Sequence, residues 1–150
     1  RYKGLIASIT RSLHFGKPSP ELTKQYAQNL EVENRMIAAT QVGKPMKDGF
    51  AAALAAYREF GVPEEWRLHL QGGAIGYFSR DLKVTDQTPD IVQENQAFCW
   101  NPTITGTKTE DGFIATAQGP VMISHPVVFP AVRQEIAGIQ LVRPGMLVLD

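Results

Sequence analysis

The chain has 150 residues, with fifteen basic and fifteen acidic side chains and a formal charge of zero. That is about one domain's worth of chain, long enough to bury a sizeable core. The balanced charge gives no long-range attraction to phosphate backbones or anionic bilayers, so neither nucleic acid nor a membrane surface is an expected partner.

The first fifteen residues, RYKGLIASITRSLHF, are rich in Ile, Leu, Ser and Thr with patchy alternation, which predicts one strand or an extended pair ending at Gly16. The chain opens on Arg1 and not on Met, and the expectation is that a native start lies upstream. After the breaker GKPSP, Ser19 is a good N-cap ahead of Pro20. Leu22, Tyr26, Leu30, Glu33 and Ile37 then follow a mostly apolar helical stripe, predicting a helix to about Thr40. VGKPMKDG closes it, and the alanine-rich stretch after it predicts a second helix near 47–60 with Gly61 as its C-terminal cap. From Gln96 on, β-formers surround turn residues at NP, TG, EDG and QGP, which reads as a meander of short antiparallel strands.

Between these halves lies LHLQGGAIGY, residues 68–77. A dinucleotide fingerprint G-x-G-x-x-G needs glycine at 71, where Gln71 stands, and no helical pattern follows. The better local account is a tight backbone approached by another chain or ligand, with at least one of Gly72, Gly73 and Gly76 at positive φ or too crowded for a Cβ. Cys99 is the single cysteine. It cannot form an internal disulfide, and between Phe98 and Trp100 it reads as a small buried hydrophobe. No apolar run reaches the roughly 18 residues that cross a bilayer. A reducing cytoplasm fits both observations.

Taken in order, GLIASITRSLHFG, two helices, EEWRLHLQGGAIGY and QAFCWNPTITGTKTED resemble the second half of the pita-bread metallopeptidases. That group includes Xaa-Pro dipeptidase, aminopeptidase P, methionine aminopeptidase and creatinase, and the resemblance spans Arg1 to Ser124. It implies an α+β pita-bread domain, a curved antiparallel sheet covered by the two helices. The 150 residues would be the C-terminal portion of a single domain, its N-terminal part missing. A sheet left so needs upstream chain or a partner on its edge, and homo-oligomerisation is the corresponding expectation.

The resemblance also implies a dinuclear metal site of two aspartates, a histidine beside a glycine-rich strand and two late glutamates. Two divalent ions about 3.5–4 Å apart need several carboxylates to bridge them and balance their charge. Carried across residue by residue, the set is thinned. The first aspartate would precede Arg1. Ser8 stands at the aspartate of an Asp-x-Thr-Arg motif, ending at Arg11. Leu70 takes the histidine position, with His69 one residue early. A one-residue slip on a strand turns a side chain to the other face, unless a bulge corrects it. Asn101 replaces the glutamate before proline, and Glu110 alone matches as an acidic ligand.

Glu110 and His69 are therefore the only metal-ligand candidates, and no cofactor is expected. His69 has a second reading as a half-buried strand histidine satisfied by hydrogen bonds. Tyr77 joins the cleft candidates, and Arg11, Arg80 and Asp81 read equally as substrate-orienting groups or structural ion pairs. Asn101 and Glu110 are expected on neighbouring strands, side chains in one cleft, with Arg11 as the partner that compensates Glu110. Two functions follow. One is a non-catalytic pseudopeptidase binding a peptide or small amide. The other is an active aminopeptidase or dipeptidase using Mn, Co or Zn near a peptide N-terminus.

Overall fold

The computed structural model describes residues 2–150. Of the opening stretch, only β1 (Leu13–Phe15) is a ladder strand. Upstream of it, Tyr2 and Leu5 form an isolated bridge, and the chain then crosses other strands. The Ile6 N–H bonds the Gly76 carbonyl at 2.8 Å and the Thr10 N–H bonds the Glu110 carbonyl at 2.9 Å. The expected strand is thus mostly an extended strap. A segment that crosses strands cannot ladder along any one of them, which is why its alternation is patchy.

Ser19 caps α1 (Pro20–Ala39), its hydroxyl accepting from the Leu22 N–H at 3.1 Å, and Pro20 fills the first helical position. The second helix, α2 (Lys47–Glu59), ends as expected, with Gly61 at φ +77° and its N–H on the Arg58 carbonyl. No helix among the described residues is long and apolar enough to cross a membrane.

The remaining strands are β2 (Gly72–Ala74), β3 (Leu82–Lys83), β4 (Gln96–Trp100), β5 (Thr103–Ile104), β6 (Thr107–Lys108), β7 (Asp111–Thr116), β8 (Gly119–Met122), β9 (Ala131–Ile136), β10 (Ile139–Pro144) and β11 (Leu147–Leu149). An antiparallel sheet runs β3-β2-β4-β7-β8; β5-β6 and β9-β10 are separate hairpins, and β1 pairs with β11 in parallel. Period-two alternation sorts the sheet's faces. Phe98, Trp100, Phe113 and Ala115 point inward onto Met36 and Ile37 of α1 and Phe50, Ala53 and Tyr57 of α2. Ala97, Cys99, Gly112 and Ile114 belong to the outer face.

The buried polar positions explain why a glutamate stands in the apolar stripe of α1. Glu33 and Arg143 are fully buried and Asp111 is 1% exposed. The Arg143 guanidinium lies 2.6 Å from Glu33 Oε2 and 2.9 Å from Asp111 Oδ2, and it donates to Asn34 as well. Glu33 also accepts the Asp111 N–H at 2.8 Å. Burial pushes the Glu33 carboxyl above its ordinary range, with Arg143 opposing the shift.

Gly72 and Gly73 have φ of +127° and +150°. A Cβ on Gly72 would collide with the Cys99 carbonyl, and one on Gly73 with the Leu82 carbonyl. The bare backbone is what lets β2 sit between β3 and β4.

Arg143→Met leaves two carboxylates buried side by side and should lower unfolding free energy in urea by about 3–5 kcal/mol. Glu33 is held above its unfolded value, so the ionised form carries the penalty. The loss should therefore shrink as pH falls toward the ordinary glutamate range. Gly73→Val should cost more than about 1 kcal/mol in the same assay, since neither the φ nor the Leu82 carbonyl can be accommodated without moving a strand.

Candidate functional site

The last paired residues of β4 and β7 are Trp100 and Asp111. One step beyond, Asn101 and Glu110 face each other before the chain turns through β5 and β6. The Asn101 N–H goes to the Gln71 carbonyl and the Glu110 carbonyl to Thr10. Their side chains converge from the two strands on one group. Arg80 Nη2 donates to Asn101 Oδ1 and to Glu110 Oε1, both at 3.0 Å.

The Arg80 side chain is 8% exposed, and its Nε has no hydrogen-bond partner among the described residues. Glu110 is almost equally buried and heavily engaged. Its Oε1 takes Arg80 and the Cys99 thiol at 3.5 Å, and its Oε2 takes the Thr10 hydroxyl at 2.9 Å with Lys108 Nζ 3.8 Å away. The Ser8 carbonyl closes the group as the alternative acceptor of the single Cys99 thiol proton, 3.4 Å from Sγ. Burial pushes the Cys99 thiol well above its ordinary range, against the pull of Arg80.

Arg11 is not the partner of the Glu110 carboxylate. Its guanidinium pairs with Asp111 Oδ1 at 2.8 Å and reaches Glu110 only at the backbone carbonyl. Thr10 and Glu110 are bridge partners, and the next residue on each strand faces the opposite side. So Thr10 meets Glu110, and Arg11 meets Asp111.

His69 and Leu70 line a different groove with Phe50, Trp66 and Thr85. The His69 ring nitrogens are occupied by the Leu70 carbonyl at 2.6 Å and the Thr103 hydroxyl at 2.8 Å, so neither is aimed at Glu110. Tyr77 is 65% exposed, with its ring against Gly4. Asp81 accepts the Phe78 N–H at 2.8 Å and closes a turn. Of the sequence candidates, then, Ser8, Arg80, Asn101 and Glu110 come together. Thr10, Cys99 and Lys108 join them unforeseen. The signal for Thr10 and Cys99 was present in strand alternation, which sets Cys99 and Asn101 on one face.

Among the described residues no group of three or more His, Cys, Asp and Glu side chains is arranged to hold a metal ion. Beside the polar cluster, the sheet's outer face carries an apolar cavity of about 410 Å³ between Tyr2, Leu5 and Ile6 of the strap and Ile75, Ala97, Ile114 and Ile123. Ala97, Cys99 and Asn101 lie on one face of the same chain, so cavity and polar cluster are about 13 Å apart along it.

The family model for metallopeptidase family M24 matches residues 1–131. An uncharacterized peptidase of Staphylococcus aureus strain MW2 is 25% identical over 130 residues, 83% of this chain and 37% of the relative. Among solved structures, the Xaa-Pro dipeptidase from Bacillus anthracis is 23% identical with a TM-score of 0.76, and a dipeptidase from Pyrococcus horikoshii OT3 is 17% identical with a TM-score of 0.78. Each of those likenesses covers 99% of this chain and 39% of the other. The chain thus spans a little over a third of the relatives it matches, and the fold is the pita-bread fold.

Iodoacetamide should modify Cys99 slowly in the native protein and rapidly in guanidinium chloride, because the thiol is buried beneath the strap and resists ionisation. Mass spectrometry of both reactions at one pH checks this; equal rates would show that the strap does not cover it.

Proposed function

The chain belongs to metallopeptidase family M24, and we propose that it is a non-catalytic member that binds a peptide or small amide in the cleft around Arg80, Asn101 and Glu110. The observation that carries this reading is the donor set. Where a dinuclear centre needs several carboxylates, the cleft presents the neutral Asn101 side chain and the Ser8 backbone carbonyl, with Glu110 as the one carboxylate the described residues bring to Arg80. These residues do not fit two divalent ions, whose charge they leave unbalanced. No hydrolytic step is derived through such ions.

The same groups suit amide recognition. Arg80 offers donors for a carbonyl, and Asn101 offers both a donor and an acceptor. The neighbouring apolar cavity of about 410 Å³ lies in the size range of small-ligand pockets and would take an aliphatic or aromatic side chain. Family membership keeps the second reading in view, metal-dependent cleavage near a peptide N-terminus. That reading needs carboxylates that the described residues do not bring to Glu110.

We infer a cytoplasmic setting from the single unpaired Cys99. Association with another copy is inferred from the exposed apolar side chains of Tyr2, Leu5, Ile9, Val127 and Val128.

The test is a panel of Xaa-Pro dipeptides and their N-acetyl and amide forms, offered to the purified protein with Mn²⁺, Co²⁺ or Zn²⁺. Binding by calorimetry without turnover is expected, and Asn101→Ala should weaken it about tenfold. Metal-stimulated hydrolysis that a chelator stops and Glu110→Gln abolishes would overturn the proposal.

A further inference from the structure

Resting on the reading that the cleft is not a dinuclear metal site, we propose that Arg80 is a built-in cation: its guanidinium does the joining that a bound metal ion would do, and it keeps divalent ions out. The geometry begins with what links the strands at this level. Backbone pairing between β4 and β7 ends at Trp100 and Asp111, and the backbones of Asn101 and Glu110 bond elsewhere. One nitrogen of Arg80, 3.0 Å from an oxygen on each side chain, is the shared contact between them.

Glu110 makes the case sharper. A carboxylate has about four lone-pair sites. Here Oε1 accepts from Arg80 and shares the single Cys99 thiol proton with the Ser8 carbonyl, while Oε2 accepts from Thr10 and faces Lys108 at 3.8 Å. Most of those sites are engaged, and an incoming divalent ion would meet the fixed positive charges of Arg80 and Lys108 at the one carboxylate that the described residues bring to this cluster. Arg80 itself is not held by a full complement of bonds, since its buried Nε is unpartnered among the described residues. Its placement follows the two oxygens, and the rest of its fork goes to the Ser79 carbonyl.

If the guanidinium and a metal are interchangeable here, removing the first should admit the second once a carboxylate is supplied. The experiment measures melting temperature and bound Mn²⁺, by native mass spectrometry, in the parent, Asn101→Glu, Arg80→Met and the double variant, with Mn²⁺ or with EDTA. The parent and Asn101→Glu should carry no Mn²⁺ and melt alike in both media. Arg80→Met should melt about 6 °C or more below the parent. The double variant should take up one Mn²⁺ and recover much of that loss in Mn²⁺ but not in EDTA. Mn²⁺ uptake by the parent, or a double variant indifferent to Mn²⁺, would overturn the proposal. Should the Met variants fail to fold in either medium, Arg80→Lys decides. A lowered melting temperature without Mn²⁺ uptake supports the bridging role, and melting like the parent refutes it. These readouts do not depend on peptide binding, so a failure of every peptide and amide to bind in the preceding assay would sink the proposed function without deciding this one.

Discussion

The arrangement of the cleft depends on the buried ion cluster behind the sheet. Arg143 brings a full positive charge into a site closed off from the surface, where it persists only because Glu33 and Asp111 compensate it and Asn34 accepts from it. Those partners come from α1 and β7, and Arg143 comes from β10, so the cluster fixes three elements against each other. Arg11 adds the strap to the same carboxylate, and the Ser124 hydroxyl donates to it too. Removing any charge leaves another stranded, so the cluster works as a unit.

Its consequence for the site runs through a single peptide bond. Glu110 and Asp111 are adjacent, and strand geometry turns them to opposite faces. Asp111 is locked into the ion cluster, which sets the height and rotation of the chain at that point, and Glu110 is thereby delivered to Arg80 on the other side. The strap repeats the division, with Thr10 on the cleft side and Arg11 on the structural side. Two acidic residues of identical chemistry thus take unrelated roles, assigned by direction alone.

This explains which features could be read from the sequence. Ser19 and Pro20 announced α1 because capping is local, and the β4–β7 register of Asn101 and Glu110 was readable because the turn between them is short. The crowding at Gly72 and Gly73 was legible in their spacing. What escaped was set by partners far along the chain. Nothing near Glu33 foretells Arg143, and the choice between Arg11 and Arg80 for Glu110 depends on how the strap lies over the sheet. Leu70, at the expected histidine position, likewise shares the groove of His69 and Trp66, because Leu70 and His69 both precede β2 (Gly72–Ala74), where the strand alternation on which a slip argument rests does not yet hold.

The parallel pairing of β1 with β11 sets Leu13 beside Leu147, joining stretches near the two ends of the described chain. Contacts of such long range carry the largest loop-closure entropy and are not rewarded until the intervening chain is ordered. The helices and the β4–β7 hairpin involve far shorter separations and have no such wait. Since β1 is continuous with the strap that brings Thr10 to Glu110 and Ser8 to Cys99, closing the cleft carries that long-range entropic cost in addition to what the core requires.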